Sequence, residues 1–245
     1  DLMKEGGHIT GYAINDEKDF TSIASSISTL FEKSPKDNSL VYAMGDGNHS
    51  LATARSCWLD IKKTLSAQEI ENHPARYALV EIENIYDEGL TFEPIHRVLF
   101  QTPKELFFEM VSHYCDTYTV DVADSSDEMM KTVYQSDKQT FGYNDKDGFY
   151  VVTLNKPHSA IAAGTLQSVI DELLEKNIEG LAVDYIHGED VTAQLGAKDG
   201  NIGLFLPAID KTTFFDVIVK DGALPRKTFS MGEAHEKRFY MEARN

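Results

Sequence analysis

Positively charged residues are scarce in this chain of 245 residues. Lysine and arginine together number 23 against 40 aspartates and glutamates, and the formal net charge is −17 at pH 7. Proteins that bind nucleic acids neutralise phosphates with lysine and arginine, whereas an acidic surface repels a polyanion. The composition therefore argues against DNA or RNA as a partner. A small anionic ligand can still bind where a few cations lie close together.

Cysteine and long apolar runs are scarce as well. Two cysteines, Cys57 and Cys115, do not make a disulfide framework in a chain of this length, so we expect buried thiols in a reducing cytoplasm. No apolar run approaches the roughly 18 residues that a membrane-spanning helix needs, which argues against a membrane partner. Hydrophobic residues still make up 42% of the chain, which is ordinary for a globular core.

The most informative stretch of the chain covers residues 40–61. It begins with Leu40–Met44, a short apolar run that is typical of a buried strand. Gly45 and Gly47 then break the run, and apolar residues recur at helical spacing from Leu51 onward. The pattern predicts a strand, a tight turn and a helix in direct succession. In α/β proteins, ligands bind in the crevice where strands end and helices begin.

The turn in this stretch predicts an anion-binding site. A helix start presents free N–H groups and the positive end of the helix dipole, and both suit a phosphate. We therefore expect Gly47, Asn48 and Ser50 to bind a phosphate or carboxylate. Asp46 is a candidate catalytic residue that holds a phosphate-bound cation or accepts a hydroxyl proton, and His49 is a second candidate. In the alternative reading, Asp46 or Asn48 only caps the helix.

Four blocks of the chain resemble one bacterial family. Residues 44–54, Met-Gly-Asp-Gly-Asn-His-Ser-Leu-Ala-Thr-Ala, are similar to the Asp-Gly-His-His-Arg-x-x-x-Ala signature of the family called domain of unknown function 1015. Residues 88–99, 184–188 and 224–230 resemble further blocks of this family in the same order. Members usually carry an additional N-terminal portion. The resemblance therefore implies that an N-terminal region of the same protein is missing from this chain.

The turn also resembles the phosphate-binding turn of the ParB/sulfiredoxin superfamily, which includes nucleotide-dependent free-serine kinases. This resemblance implies a nucleotide with Mg²⁺ as cofactor and phosphoryl transfer to a small hydroxy or amino acid. Asn48 and Ser50 stand where histidine and arginine are common in that superfamily. An arginine at the turn would clamp phosphate with two hydrogen bonds, so another arginine has to take its place.

Further candidate residues lie in the remaining blocks. His96 and Arg97 follow each other on a predicted strand, so their side chains point to opposite faces. His96 is a candidate catalytic residue, and Arg97 either clamps an anion or forms a surface ion pair. Asp184 and His187 are candidate ligand-binding residues at the end of a strand. Because the sequence has no helix-borne histidine pair and no cysteine cluster, it predicts no dedicated zinc site.

A basic island lies near the end of this acidic chain. Its candidate ligand-binding residues are Arg226, Lys227 and Ser230. An anion beside the negative Asp46 needs cations, so we expect Lys227 and at least one of the arginines, Arg97 or Arg226, to converge on that pocket. In the alternative, the island belongs to a basic C-terminal helix that balances neighbouring glutamates.

The expected fold is α/β, with a mixed sheet, flanking helices and an inserted smaller α+β subdomain. We assign residues 1–100 to the core that contains the turn, 101–155 to the subdomain, and 156–245 to a return to the core with the basic island. Strands are also expected at residues 8–14 and 76–85, the latter paired with residues 91–100 as a hairpin.

Three classes of function are consistent with these features. The favoured one is a cytosolic small-molecule enzyme that binds a phosphorylated ligand or a nucleotide, with the phosphotransfer chemistry that the resemblance implies. The second is a non-catalytic protein that senses a phosphorylated metabolite or binds a partner. The third is a metal-dependent hydrolase.

Overall fold

The computed structural model describes residues 1, 7–33 and 40–231, which divide into two compact units. The first, which we call the helical unit, spans Thr10–Ile85. The second, which we call the sheet unit, takes the other described residues, chiefly those from Tyr86 onward. None of the described helices is long and apolar enough to span a membrane.

The described residues of the helical unit form three helices and a short 3₁₀ turn. They are α1 (Glu17–Lys33), α2 (Asn48–Lys62), α3 (Ala67–Asn72) and the turn Pro74–Arg76. Ser66 begins α3 with a capping box: its Oγ accepts from the Glu69 N–H at 3.4 Å, and the Glu69 carboxylate accepts from the Ser66 N–H at 2.9 Å. The sequence predicted α2, and the structure confirms it.

Three strands that the sequence predicted before residue 86 are not formed. Residues 8–14, 40–44 and 77–84 adopt no regular secondary structure. A strand needs a neighbour for its backbone hydrogen bonds, and none of the described strands pairs with these segments. A short apolar run gives no information about such a partner, so the prediction was wrong at all three places.

Eight strands and five helices make up the part of the sheet unit that the structure describes. Its strands are β1 (Phe92–Pro94), β2 (His96–Phe100), β3 (Thr117–Ala123), β4 (Thr140–Asp145), β5 (Gly148–Asn155), β6 (Ala182–Ile186), β7 (Ile202–Phe205) and β8 (Phe229–Met231). Its helices are α4 (Lys104–His113), α5 (Ser126–Gln135), α6 (Ala162–Glu175), α7 (Glu189–Gly196) and α8 (Phe214–Asp221). Six strands form one sheet in the order β3-β5-β4-β7-β2-β6, and β1 pairs with β8 in a separate two-stranded sheet.

Helices cover both faces of the six-stranded sheet. On one face, α4 and α6 pack over a core that includes Phe107, Tyr143 and Leu204. On the other face, α5 and α7 cover a smaller core around Met129 and Phe205. Because strand residues alternate between faces, β3, β5 and β7 contribute side chains to both cores.

This architecture confirms the predicted α/β class, a sheet with flanking helices. Every described strand pairing is antiparallel. The predicted hairpin between residues 76–85 and 91–100 is absent from the described structure, since β2 pairs with β6 and β7. The boundaries at residues 100 and 155 remain a prediction of domain organisation, although the strands on both sides of them share one sheet.

The two cysteines are free, and their burial differs from the prediction. Cys57 is exposed on α2, so the expectation of a buried thiol is wrong there. Cys115 is half-buried, its Sγ lies 3.4 Å from the carbonyl oxygen of Val111, and burial raises the pKa of its thiol. Helical spacing predicts which side of a helix is apolar, but not whether that side is covered.

Candidate functional site

The predicted anion-binding turn has the geometry of an open helix start. Gly47 precedes α2 with φ +78°, a left-handed conformation that glycine adopts at little cost. The Asp46 carboxylate accepts a hydrogen bond from the Gly47 N–H at 2.8 Å, and the Gly47 carbonyl accepts from the Leu51 N–H at 2.9 Å. Among the described contacts, Asp46 accepts from no N–H group of the helix itself. The geometry therefore does not favour the reading of Asp46 as a simple helix cap.

The turn is accessible over its whole length. Asp46, Gly47, Asn48, His49 and Ser50 are all exposed. The α2 helix behind them is 15 residues long, so its first N–H groups carry the positive end of a full helix dipole. This arrangement can bind an anion, and the individual roles assigned to the five residues stay predictions.

In the sheet unit, His96 is buried in a neutral state. Its side chain is 1% exposed, and its Nδ1 accepts a hydrogen bond from the Leu206 N–H at 3.1 Å, which leaves the proton on Nε2. Burial, together with the charges of Arg97 and His187, lowers the pKa of His96 to about 4. The ring therefore carries no charge at neutral pH. Its predicted catalytic role stays a prediction.

Arg97 is buried on the opposite face of β2. It is fully inaccessible to solvent and donates to the carbonyl oxygens of Ile95 and Lys227, the latter at 2.9 Å. Its guanidinium carbon lies 5.3 Å from the ring centroid of Tyr185. Burial lowers the pKa of Arg97 to about 10, so the guanidinium remains charged at neutral pH. The alternative of a surface ion pair is wrong, because the residue is not at the surface.

The charge of Arg97 is not balanced within the described part of the chain. No described carboxylate forms an ion pair with the guanidinium, and its Nε has no hydrogen-bond partner there. A buried cation without a counter-ion is unusual, because desolvation penalises it strongly. Backbone carbonyls and the face of an aromatic ring take the place of a carboxylate.

A turn at residues 225–228 carries two of the candidate cations. Thr228 Oγ1 donates to the carbonyl oxygen of Pro225 at 2.6 Å, and Lys227 adopts φ +58°. The side chain of Lys227 is exposed. Arg226 lies 3.5 Å from a carboxylate oxygen of Asp171 on α6, with both side chains more than half exposed.

The remaining candidates lie near the end of β6. Ser230 Oγ and His187 Nδ1 are 3.5 Å apart. Ser230 lies on β8, which pairs with β1, and His187 directly follows β6, which pairs with β2. The Asp184 carboxylate accepts from the Tyr185 N–H at 2.8 Å and is exposed. The structure thus brings His96 close to His187, His187 close to Ser230, and Arg97 close to Lys227.

Sequence reasoning missed three residues that connect Arg97 with the turn at residues 225–228, namely Tyr185, Gln167 and Asp171. Tyr185 donates its hydroxyl to the Gln167 side chain at 3.2 Å, and Gln167 donates to the Asp171 carboxylate at 2.8 Å. The spacing of four residues between Gln167 and Asp171 on a helix was a signal available in the sequence. Tyr185 became visible only through strand pairing, since it lies opposite Arg97 in the β2–β6 register.

Two surface pockets lie away from the candidate residues. One, of about 530 Å³, is lined by Lys104, Phe108 and Tyr118 among others. The other, of about 560 Å³, is lined by residues of α1 together with Val41 and Tyr42. No predicted site residue lines either pocket. The described residues also contain no group of three or more histidine, cysteine, aspartate or glutamate side chains that could hold a metal ion.

A comparison with protein families shows to which family the chain belongs. The sequence model of the family described as "Protein of unknown function (DUF1015)" matches residues 1–173. The chain belongs to this family. The resemblance predicted from the four sequence blocks is thereby confirmed, whereas the similarity of the turn to the ParB/sulfiredoxin superfamily stays a prediction. No curated protein matches this member of the family.

Several solved structures resemble this DUF1015 protein at 12% sequence identity. A free serine kinase mutant in complex with ADP matches with a TM-score of 0.54, over 90% of this chain and 82% of the kinase chain. The free serine kinase in complex with AMP matches with a TM-score of 0.51, over 89% and 81% of the two chains. At this identity the likeness shows a common fold.

A conserved hypothetical protein from Pyrococcus furiosus gives a TM-score of 0.45 at 12% identity. The match covers 63% of this chain and 61% of that protein, so less than two thirds of its length is represented.

Proposed function

We propose that this DUF1015 protein binds a nucleotide and transfers a phosphoryl group to a small hydroxy or amino acid. The observation that carries the proposal is the exposed glycine turn at the start of α2. It offers N–H groups to an anion and leaves the Asp46 carboxylate free of the helix backbone. The common fold with free serine kinases in complex with AMP and ADP supports the same class of chemistry.

In this proposal, the N–H groups of residues 48–50 hold phosphate oxygens of the nucleotide, while the Gly47 N–H donates to Asp46. Asp46 accepts the proton of the substrate hydroxyl while the hydroxyl oxygen attacks the phosphorus of the transferred group. The bond between that phosphorus and the oxygen of the leaving phosphate then breaks. A Mg²⁺ ion that accompanies the nucleotide neutralises phosphate charge and needs only one or two protein carboxylates. In the sheet unit, Arg226 and Lys227 are the proposed cations for an anionic ligand.

The first test is to find where an anion binds. Isotopically labelled protein is titrated with ADP and, separately, with inorganic phosphate, and the backbone amides are followed by NMR. We expect the largest chemical-shift changes at the amides of residues 48–50, because these N–H groups contact the phosphate. Binding that leaves these amides unperturbed would falsify the proposed site.

The second test is turnover. The protein is incubated with ATP or ADP, Mg²⁺ and a panel of small hydroxy and amino acids that includes free serine, and ³¹P NMR detects a phosphorylated product. Appearance of a new phosphate ester supports the phosphotransferase. Tight nucleotide binding without any product instead favours the second class, a protein that senses a phosphorylated metabolite.

A further inference from the structure

The buried guanidinium of Arg97 donates hydrogen bonds to backbone carbonyl groups, one of them in a turn that is distant in the sequence. Two of its N–H groups donate to carbonyl oxygens, and one of these belongs to Lys227, which is 130 residues away in the sequence. The residue is fully buried, so no ligand in solution touches it in this structure. Hydrogen bonds from a charged donor are stronger than those between neutral groups, so Arg97 is a firm anchor for the Lys227 carbonyl.

The same turn is anchored a second time through the residues beneath Arg97. The guanidinium lies over the ring of Tyr185, whose hydroxyl contacts Gln167. Gln167 contacts Asp171, and Asp171 in turn lies beside Arg226. The two neighbouring cations of the turn are therefore tied to one connected set of side chains, one by its backbone and the other by its guanidinium.

An anchor is physically useful here because the turn is short and conformationally unfavourable. Lys227 adopts φ +58°, a region that non-glycine residues occupy rarely. Its exposed side chain has many rotamers, and fixing its backbone removes part of the freedom that a bound ligand would otherwise have to remove.

We infer that Arg97 is a positioning residue: it holds the backbone of Lys227 so that the Lys227 ammonium is presented to an anionic ligand. The inference rests on the proposed function, since it takes Lys227 as a ligand-binding cation. It changes the role expected for Arg97, which then orders the ligand-binding turn and does not clamp the anion itself.

A double-mutant cycle on ligand affinity tests this inference. Arg97→Lys keeps the charge, but an ammonium lacks the planar fork that donates to both carbonyl oxygens and lies over the Tyr185 ring. ADP affinity is measured by calorimetry for the wild type, Arg97→Lys, Lys227→Met and the double variant. We expect Arg97→Lys alone to weaken ADP binding by about tenfold. In the Lys227→Met background we expect the same change to have almost no further effect.

Arg76 offers a matched control in the helical unit. It also donates to a carbonyl oxygen, that of Glu71, and lies over a tyrosine ring, that of Tyr77, but on the surface. Arg76→Lys should leave ADP affinity unchanged. If Arg97→Lys does not fold, judged by circular dichroism, Tyr185→Leu replaces it in the cycle, because it removes the ring under the guanidinium and leaves Arg97 in place.

The outcomes separate this inference from the proposed function. If Lys227→Met leaves ADP binding unchanged, the anion role of Lys227 fails, and the positioning role of Arg97 fails with it. If Lys227→Met weakens binding but Arg97→Lys has no effect, or an effect that adds fully to that of Lys227→Met, only the positioning role is overturned. An effect of Arg97→Lys that disappears in the Lys227→Met background supports both.

Discussion

The helical unit and the sheet unit differ in how exposed their candidate residues are. Helices α1, α2 and α3 contain no buried residue, and the turn before α2 is exposed from Asp46 to Ser50. In the sheet unit, His96 and Arg97 are buried between packed strands. The first unit offers backbone groups that are ready for a ligand, while the second fixes side chains by packing. The comparison separates residues that can contact a ligand directly from residues that act by holding others.

The largest effect should follow from changing the exposed carboxylate of the helical unit. Asp46→Asn keeps the size of the side chain but removes a base, so turnover should fall by about 10²–10⁴-fold while stability changes by less than roughly 1 kcal/mol. Steady-state kinetics and thermal unfolding measure the two quantities. Asp60→Asn is the control, because Asp60 is exposed on the same helix and pairs with Lys63. Normal turnover by Asp46→Asn would leave Asp46 without a catalytic role.

The difference in burial between the units can be tested with two phenylalanines. Phe107 is fully buried in the core of the sheet unit, and Phe31 on α1 is 57% exposed. Phe107→Ala should lower the free energy of unfolding by about 3–5 kcal/mol, because it removes apolar contacts and opens a cavity. Phe31→Ala should cost less than about 0.5 kcal/mol. Urea unfolding gives both values, and equal losses would mean that Phe31 is buried in solution.

The buried imidazole of His96 should make stability depend on pH. Its folded pKa of about 4 lies below the ordinary value of 6.5, so the unfolded chain takes up the proton first as the pH falls. The contribution of neutral His96 to the free energy of unfolding is complete above pH 6.5 and is lost progressively between pH 6.5 and pH 4. The total loss is about 3 kcal/mol, and no further loss from His96 follows below pH 4.

Urea unfolding of the wild type and of His96→Gln at pH 7 and pH 4.5 measures this contribution of His96. Glutamine can still accept from the Leu206 N–H but does not titrate, so the pH-dependent loss should shrink in His96→Gln. His49→Gln, which changes an exposed histidine of the helical unit, should keep the wild-type dependence. An unchanged dependence in His96→Gln would contradict the assignment.

A more modest effect should come from the exposed lysine of the sheet unit. Lys227→Met should weaken ADP binding by roughly 1.5–3 kcal/mol, the range for a charged hydrogen bond, and should leave the fold intact. Calorimetric titration measures the affinity. Lys220→Met, at the end of α8, removes an exposed lysine outside the candidate site and should bind ADP as the wild type does. Equal affinities of Lys227→Met and Lys220→Met would remove Lys227 from the site.

The sequence determined the elements whose causes are local. Helix α3 follows from Ser66 and Glu69, which cap it within one turn, and α2 follows from the Gly47 turn and the apolar spacing after it. The hairpin of β4 and β5 was predictable because its strands are neighbours in the chain, with a short turn between Asp145 and Gly148. Hydrogen bonds and side-chain contacts over three or four residues decide such elements.

Only the tertiary structure decided which segments pair and which side chains are buried together. Residues 40–44 and 77–84 have the composition of strands but no partner among the described strands, while β1 pairs with β8 from the far end of the chain. The sequence predicted Arg97 and Lys227 as members of one site, but not that the guanidinium would bind the Lys227 carbonyl. Pairing and burial between distant segments depend on the packing of the whole unit, and no local pattern of residues contains that information.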